Sequence, residues 1–386
     1  MKRDTARRWA PALGVATAVL AGAALLAPTA AERLFARLAT DRALRAPRDR
    51  WGGPLVPAPD VARGKRIAAS APGADALVDG VFRGPRTWAG GHPTPGKPAW
   101  AAIRVGSGYR RLLLSWTSSF NHCYFDQFYG APADYRIETS ADSTDGRDGT
   151  WRTAVAVTGN PVRSRAHAFD FEGQRWVRLA VTRLPERVNE WGLFLDEIEV
   201  RDLSRGGDDV WAFVGDSIGA EVFDQAPAHR PGFADFIARG HRGYRPATID
   251  VGLCRLRTFE ALERMDEILA LNPDARVIAL QLGANDGTPE MLRPALEGIV
   301  AKVRAAGKIP VVARISYQTK YGPDYVAPKD AALDEVVRAA GLLPGPDLYA
   351  WFRANPQELR DGLHPTDRGA VETARLWAEA VAPLYP

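Results

Sequence analysis

Val210-Trp211-Ala212-Phe213-Val214-Gly215-Asp216-Ser217-Ile218-Gly219 decides the fold of this chain. Five apolar residues, Val210 to Val214, read as a strand buried on both faces, as in a parallel sheet. Gly215 and Asp216 break the run, and Ser217 sits on the turn that follows, where a helix can begin. Open α/β sheets place their ligands at the carboxyl ends of the strands, so this serine is delivered to a functional edge. Its hydroxyl is a weak nucleophile until a base takes the proton.

A base and an orienting acid stand together near the far end, in Asp361-Gly362-Leu363-His364-Pro365-Thr366. Three residues apart on one turn, Asp361 can accept from one imidazole nitrogen of His364 while the other faces Ser217. Between the two stretches, Leu280-Gln281-Leu282-Gly283-Ala284-Asn285-Asp286 brings Asn285 to the same edge. An asparagine amide can donate to a developing oxyanion, and one such donor is worth roughly 10²–10³ in rate.

Together these residues resemble the SGNH (GDSL) hydrolase family over about residues 208–386. Gly215-Asp216-Ser217 matches its first block, Gly283-Ala284-Asn285-Asp286 its third and Asp361-x-x-His364 its fifth. The resemblance implies a three-layer, doubly wound parallel sheet of flavodoxin-like type and a serine esterase. Its catalytic residues would be Ser217, Asp361 and His364. The oxyanion hole would take the Ser217 N–H, Asn285 and one further backbone N–H. In the family that last donor is a glycine after the second strand. Here the strand is Ala247–Val251, followed by Gly252-Leu253-Cys254-Arg255. Arg255 falls where the family keeps its glycine, and Gly252 lies three residues early. Either residue is a candidate, since every residue but proline carries the N–H. The Arg255 guanidinium either meets an anionic group of the substrate or lies on the surface.

Strands and helices alternate around these motifs. Arg276–Leu282 and Lys308–Ile315 read as strands. Thr258–Leu271, Pro289–Ala306 and Thr366–Val381 have helical spacing, and Gly307 stops the second of them. That alternation gives a parallel sheet with helices on both faces.

The N-terminal half reads differently. Lys2, Arg3, Arg7 and Arg8 precede an uncharged run from Trp9 to Ala31, so residues 1–31 read as a signal peptide or a single membrane anchor. Either places the rest of the chain outside the cytoplasm. Residues 32–60 read as a linker. Residues 61–204 read as all-β, a jelly-roll or sandwich domain, with short alternating runs at 101–105, 111–116, 134–139, 150–157, 166–171, 175–181 and 193–200. The stretches Ala76–Gly80, Tyr135–Ser140, Asp145-Gly146, Trp151, Trp176–Leu179 and Leu195–Val200 resemble a discoidin (galactose-binding-like) domain. That resemblance implies glycan binding through loops at one end. Residues 205–386 form the hydrolase domain.

The chain has 386 residues, 46% hydrophobic and 25% charged, with a net charge of +4. That is globular composition with room for two domains. No basic run interleaves with aromatics, so nucleic-acid binding has no support. The aromatic loop Ser118–Tyr129 reads either as a sugar-stacking surface or as packing against the hydrolase domain. It holds Cys123, and Cys254 lies beside the second-block turn. In an oxidising compartment the two invite a disulfide, the alternative being two free thiols. His92, His122, His167, His229 and His241 show no metal-ligand spacing, and acyl transfer from serine needs no metal or organic cofactor. The expected substrate is a small ester or an acylated glycan. The same residues also serve an O-acyltransferase, and an idle hydrolase domain would leave a glycan-binding module.

Overall fold

The computed structural model describes residues 54–82, 87–118, 130–185, 192–222 and 230–386. The segment read as a signal or anchor therefore lies outside the described residues, as do Cys123, His122, His229 and most of the aromatic loop. Among the described residues, no helix is long and apolar enough to cross a membrane.

The N-terminal part is built from β1 (Ile67–Ala69), β2 (Trp88–Gly91), β3 (Ala99–Arg104), β4 (Arg111–Thr117), β5 (Asp134–Ser140), β6 (Arg152–Val157), β7 (Ser164–Asp170), β8 (Trp176–Arg183), β9 (Leu193–Leu195) and β10 (Glu197–Asp202). Two antiparallel sheets, β1-β3-β8-β5-β6 and β10-β4-β7, enclose a common core, with a small β2-β9 pair beside them. Ile103, Ile137, Val177 and Leu179 from one sheet meet Leu112, Leu114, Trp116 and Ile198 from the other. This is the β-sandwich that alternating short strands imply. The run 193–200 divides at Asp196, because β9 pairs with β2 while β10 pairs with β4. β1 and β2 are too short to carry a period in the sequence.

The C-terminal part runs β11 (Val210–Gly215), α1 (Ser217–Val222), α2 (Phe233–Gly240), β12 (Ala247–Asp250), α3 (Thr258–Leu271), β13 (Val277–Gln281), α4 (Pro289–Ala305), β14 (Ile309–Val312), α5 (Pro323–Ala340), β15 (Leu343–Pro344), α6 (Leu348–Ala354) and α7 (Asp367–Ala380). The five strands pair in parallel in the order β12-β11-β13-β14-β15. By chain order that is 2-1-3-4-5, the flavodoxin-like doubly wound arrangement. Alternate residues of β11 serve opposite faces. Val210, Ala212 and Val214 join Met265, Leu296 and Leu333 of α3, α4 and α5. Trp211 and Phe213 join Phe233, Phe352 and Trp377 of α2, α6 and α7. A strand covered on both sides has no polar face, which explains its unbroken apolar run.

The two parts share a core. In β4, Leu112, Leu113 and Leu114 are all fully buried. Leu112 and Leu114 point into the sandwich, whereas Leu113, with Ala166 of β7, packs in the α/β core. The sandwich thus lies against the β12 side of the parallel sheet. Residues 54–60 are packed as well. Leu55 and Ala58 are buried, and the Leu55 N–H donates to the Leu384 carbonyl at 2.9 Å.

His167 in β7 makes the sandwich acid-sensitive. Its Nε2 lies 2.7 Å from the Tyr135 hydroxyl. Burial, helped by the Arg165 charge, lowers its pKa from 6.5 to about 4. The unfolded chain therefore takes up this proton first as the pH falls. The contribution is complete above the unfolded value and is lost between about pH 6.5 and 4, at most about 3 kcal/mol. Urea unfolding at pH 7 and pH 4.5 should show the loss in the wild type and a smaller one in His167→Gln.

Candidate active site

The serine turn is shaped by its own neighbours. Asp216 is buried at the end of β11, and its Oδ1 accepts from the Ile218 N–H at 3.0 Å, capping α1. Ser217 is the first residue of α1, so its N–H has no carbonyl partner within that helix. Ser217 Oγ lies 3.0 Å from His364 Nε2. His364 Nδ1 in turn lies 2.7 Å from Asp361 Oδ2. The backbone N–H groups of His364 and Leu363 donate to Asp361 Oδ1 at 2.7 and 3.0 Å. Burial alone would raise the Asp361 pKa. These donors and the imidazole outweigh it and hold the carboxyl at about 2. Asp361 is thus ionised across the working range and fixes the Nδ1–H tautomer, leaving Nε2 to accept from the serine.

The turn carrying Asp361 and His364 is tied at both ends. The Arg360 N–H donates to the His364 carbonyl at 2.9 Å, and Thr366 caps α7 by accepting from the Gly369 N–H at 3.2 Å. Gly362, at φ 78°, presses against the loop before α5; a Cβ there would sit 2.7 Å from Thr319 Oγ1 and 3.0 Å from the Lys320 nitrogen. The Lys320 N–H donates to the Gly362 carbonyl at 3.0 Å.

Asn285 sits beyond β13, across the crevice from Ser217, where the strand order reverses between β11 and β13. Its Nδ2 donates to Asp216 Oδ2 at 3.1 Å and to the Leu256 carbonyl at 3.4 Å. Its neighbour Asp286 is buried and accepts from the Thr258 N–H and, at 2.8 Å, from the Thr258 hydroxyl. That places a carboxylate at the start of α3, the favourable end of the helix dipole.

The second-block turn separates the two candidates for the last donor. The Gly252 N–H is taken by Asp250 Oδ1 at 2.8 Å. Arg255 is the third residue of a turn closed by the Leu256 N–H donating to the Leu253 carbonyl at 3.2 Å. Its φ is 60°, and among the described residues it is the one non-glycine with a positive φ. Turns with that geometry favour glycine, and another residue there costs roughly 1 kcal/mol. Cys254, beside it, is disulfide-bonded, and Cys123 lies outside the described residues.

Ser217, His364, Asn285 and Arg255 line one cavity of about 880 Å³, with Cys254, Arg257, Glu260, Lys320, Tyr321 and Leu363 completing the wall. Gly252 is not part of that wall. Among the described residues no group of three or more His, Cys, Asp or Glu is placed to hold a metal ion.

The structure also brings in residues that carry no motif. Lys329, buried on α5, donates to the Asp286 carbonyl at 2.9 Å and lies 3.5 Å over the Tyr325 ring. The Tyr325 hydroxyl donates to the same carbonyl at 3.3 Å. Both clamp the Gly283–Asp286 loop from below. Burial lowers the Lys329 pKa to about 8, against the pull of Asp286 and Asp216. Burial raises Asp216 to about 7, against the donors from Ile218 and Gly219. The sequence carries no signal for this cluster, because α5 shows no apolar period.

A doubly wound sheet with a serine, a histidine and a carboxylate in line at its switch point defines a hydrolase of the α/β class. Residues 213–371 match the model of the GDSL-like Lipase/Acylhydrolase family. No curated protein matches the chain. Among solved structures, the chain is similar to TesA, at 19% identity over 45% of this chain and 99% of that one, with a TM-score of 0.39. It is also similar to the protein YXIM of Bacillus subtilis, at 14% identity over 73% and 80%, with a TM-score of 0.42. A third likeness is to chitosan-binding module 1 of a chitosanase/glucanase from Paenibacillus sp. IK-5, at 23% identity over 37% and 98%, with a TM-score of 0.27.

Proposed function

We propose that this hydrolase is an exported serine esterase that removes short O-acyl groups, acetyl above all, from a carbohydrate. The observation that carries the chemistry is the unbroken line from Ser217 Oγ to His364 Nε2 at 3.0 Å and from His364 Nδ1 to Asp361 Oδ2 at 2.7 Å. His364 takes the serine proton as Oγ attacks the ester carbonyl, and Asp361 steadies the imidazolium. The N–H groups of Ser217 and Arg255 and the Asn285 amide face the developing oxyanion. The 3.4 Å bond from Asn285 to Leu256 is long, so an oxyanion competes with it readily. Gly252 is set aside because Asp250 already holds its N–H. His364 then protonates the leaving alkoxide, and water, activated by the same imidazole, releases the acid and frees Ser217.

The carbohydrate part of the reading rests on two features. One is the sandwich that shares a core with the hydrolase domain and resembles a discoidin domain in sequence. The other is Tyr321, 51% exposed on the cavity wall, a flat aromatic surface on which a sugar ring can stack. Export rests on the basic and apolar pattern of residues 1–31.

A fluorophosphonate probe tests the chemistry. Incubation of the full chain should add one phosphonyl mass to the peptide carrying Ser217, and prior treatment should block release of p-nitrophenol from its acetate. Failure to label, with hydrolysis unaffected by the probe, would remove the serine mechanism. Acetylated oligosaccharides then test the carbohydrate.

A further inference from the structure

The cavity wall carries more positive charge than the proposed chemistry uses. Of its four charged side chains besides the histidine, Glu260 is held by Arg257, through the Arg257 N–H at 2.8 Å and the guanidinium at 2.9 Å. That pair cancels. Arg255 and Lys320 remain, both exposed, and neither makes an ion pair among the described residues. The Lys320 Nζ lies 5.5 Å from the centre of the Tyr321 ring. The two cations come to the one cavity from different segments. Arg255 is on the second-block turn beside the Asn285 contact, and Lys320 is bonded through its backbone to Gly362, between Asp361 and His364.

Arg255 is also conspicuous in its backbone. Its positive φ of 60° suits glycine, and glycine would keep the N–H that the turn presents. What arginine adds at that position is the side chain alone. A strained residue at the rim of a cavity, carrying an unpaired charge, points to a ligand of opposite sign.

We infer that Arg255 and Lys320 form an anion clamp and that the ester this site prefers carries a carboxylate or phosphate group. The inference rests on the esterase reading and narrows it, from short esters in general to esters with a fixed negative charge next to the scissile bond. In such a complex the guanidinium forms paired hydrogen bonds to the anion, and the ammonium adds a point charge.

The test compares matched esters on the full chain. p-Nitrophenyl hemisuccinate against p-nitrophenyl butyrate places the charge on the acyl side, and 4-acetoxybenzoate against its methyl ester places it on the alcohol side. The wild type should show a kcat/KM ratio of about 10-fold or more in favour of the anionic member of one pair, shrinking as salt is raised. Arg255→Gly relieves the backbone and so should fold, and in it that ratio should drop towards one; Lys320→Gln should lower it less. The pair that responds identifies the side bearing the anion. A wild-type ratio near one in both pairs would overturn the clamp while leaving the esterase intact. So would an equal loss on charged and neutral esters in Arg255→Gly, which would mean that the turn serves the oxyanion alone. If no ester is hydrolysed and Ser217 does not label, both readings fall together.

Discussion

Ser217→Ala is expected to lower kcat on short esters by at least about 10⁴-fold, because removal of the nucleophile leaves only binding and the oxyanion donors. His364→Ala should fall to the same floor, and the double variant should be no worse than either, since the two act as a unit. Asp361→Asn should cost less, about 10²–10³-fold. Its carboxyl side chain is 48% exposed, so water screens its hold on the imidazole, and the backbone N–H groups of His364 and Leu363 still have an oxygen to bond to. The order of the three losses is the informative result, read from initial rates on p-nitrophenyl acetate with circular dichroism as the check on folding. A Ser217→Ala enzyme within tenfold of the wild type would remove this serine from the chemistry.

The parts of the fold that were legible in the sequence are those whose burial is one-sided or complete over a long run. Val210–Val214 and residues 277–280 carry it as unbroken apolar stretches, and Thr258–Leu271 as a helical stripe. α5, at Pro323–Ala340, was not legible. Its buried face includes Lys329 and Asp330, and prolines stand at its start and inside it, so no apolar period shows. Those charges are tolerated because each has a partner that the sequence does not reveal: Asp286 for the lysine, and for Asp330 the Ile315 N–H and Arg314. β4 misleads in the opposite sense. Leu112-Leu113-Leu114 breaks the alternation of a sandwich strand because a second domain covers its outer face.

At the site, residue types and order placed Ser217, Asn285, Asp361 and His364 near one another: the first two follow β11 and β13, and the last two share the turn before α7. Order does not reveal direction. Gly252 and Arg255 are equal candidates until the hydrogen bond to Asp250 and the positive φ of Arg255 are seen. The first depends on a contact from elsewhere, which comes from the sandwich.

Arg163 is the link. It stands just before β7, 4% exposed, and its guanidinium forms an ion pair with Asp250 at the end of β12, which is also 4% exposed. The Asp250 carboxylate holds the Gly252 N–H with its other oxygen, and the Asp250 N–H donates to the Ser164 hydroxyl at 3.3 Å. A residue of one domain thereby neutralises the charge that anchors the second-block turn of the other. Arg163→Ala is expected to lower the unfolding free energy by about 3–5 kcal/mol, because it leaves a carboxylate buried without its cation. Arg163→Met together with Asp250→Leu should recover much of that stability, since an apolar pair carries no desolvation cost. Activity should not recover with it: without Asp250 nothing holds the Gly252 N–H, and the turn bearing Arg255 loses its anchor. Urea unfolding of the single and double variants, beside their rates on p-nitrophenyl acetate, separates the two roles. Full activity in a restored double variant would show that the sandwich stabilises the hydrolase domain without shaping its site. A stable but weakly active one would mean that the interface sets the geometry of the second-block turn, and that the sandwich is part of the catalytic apparatus through Arg163.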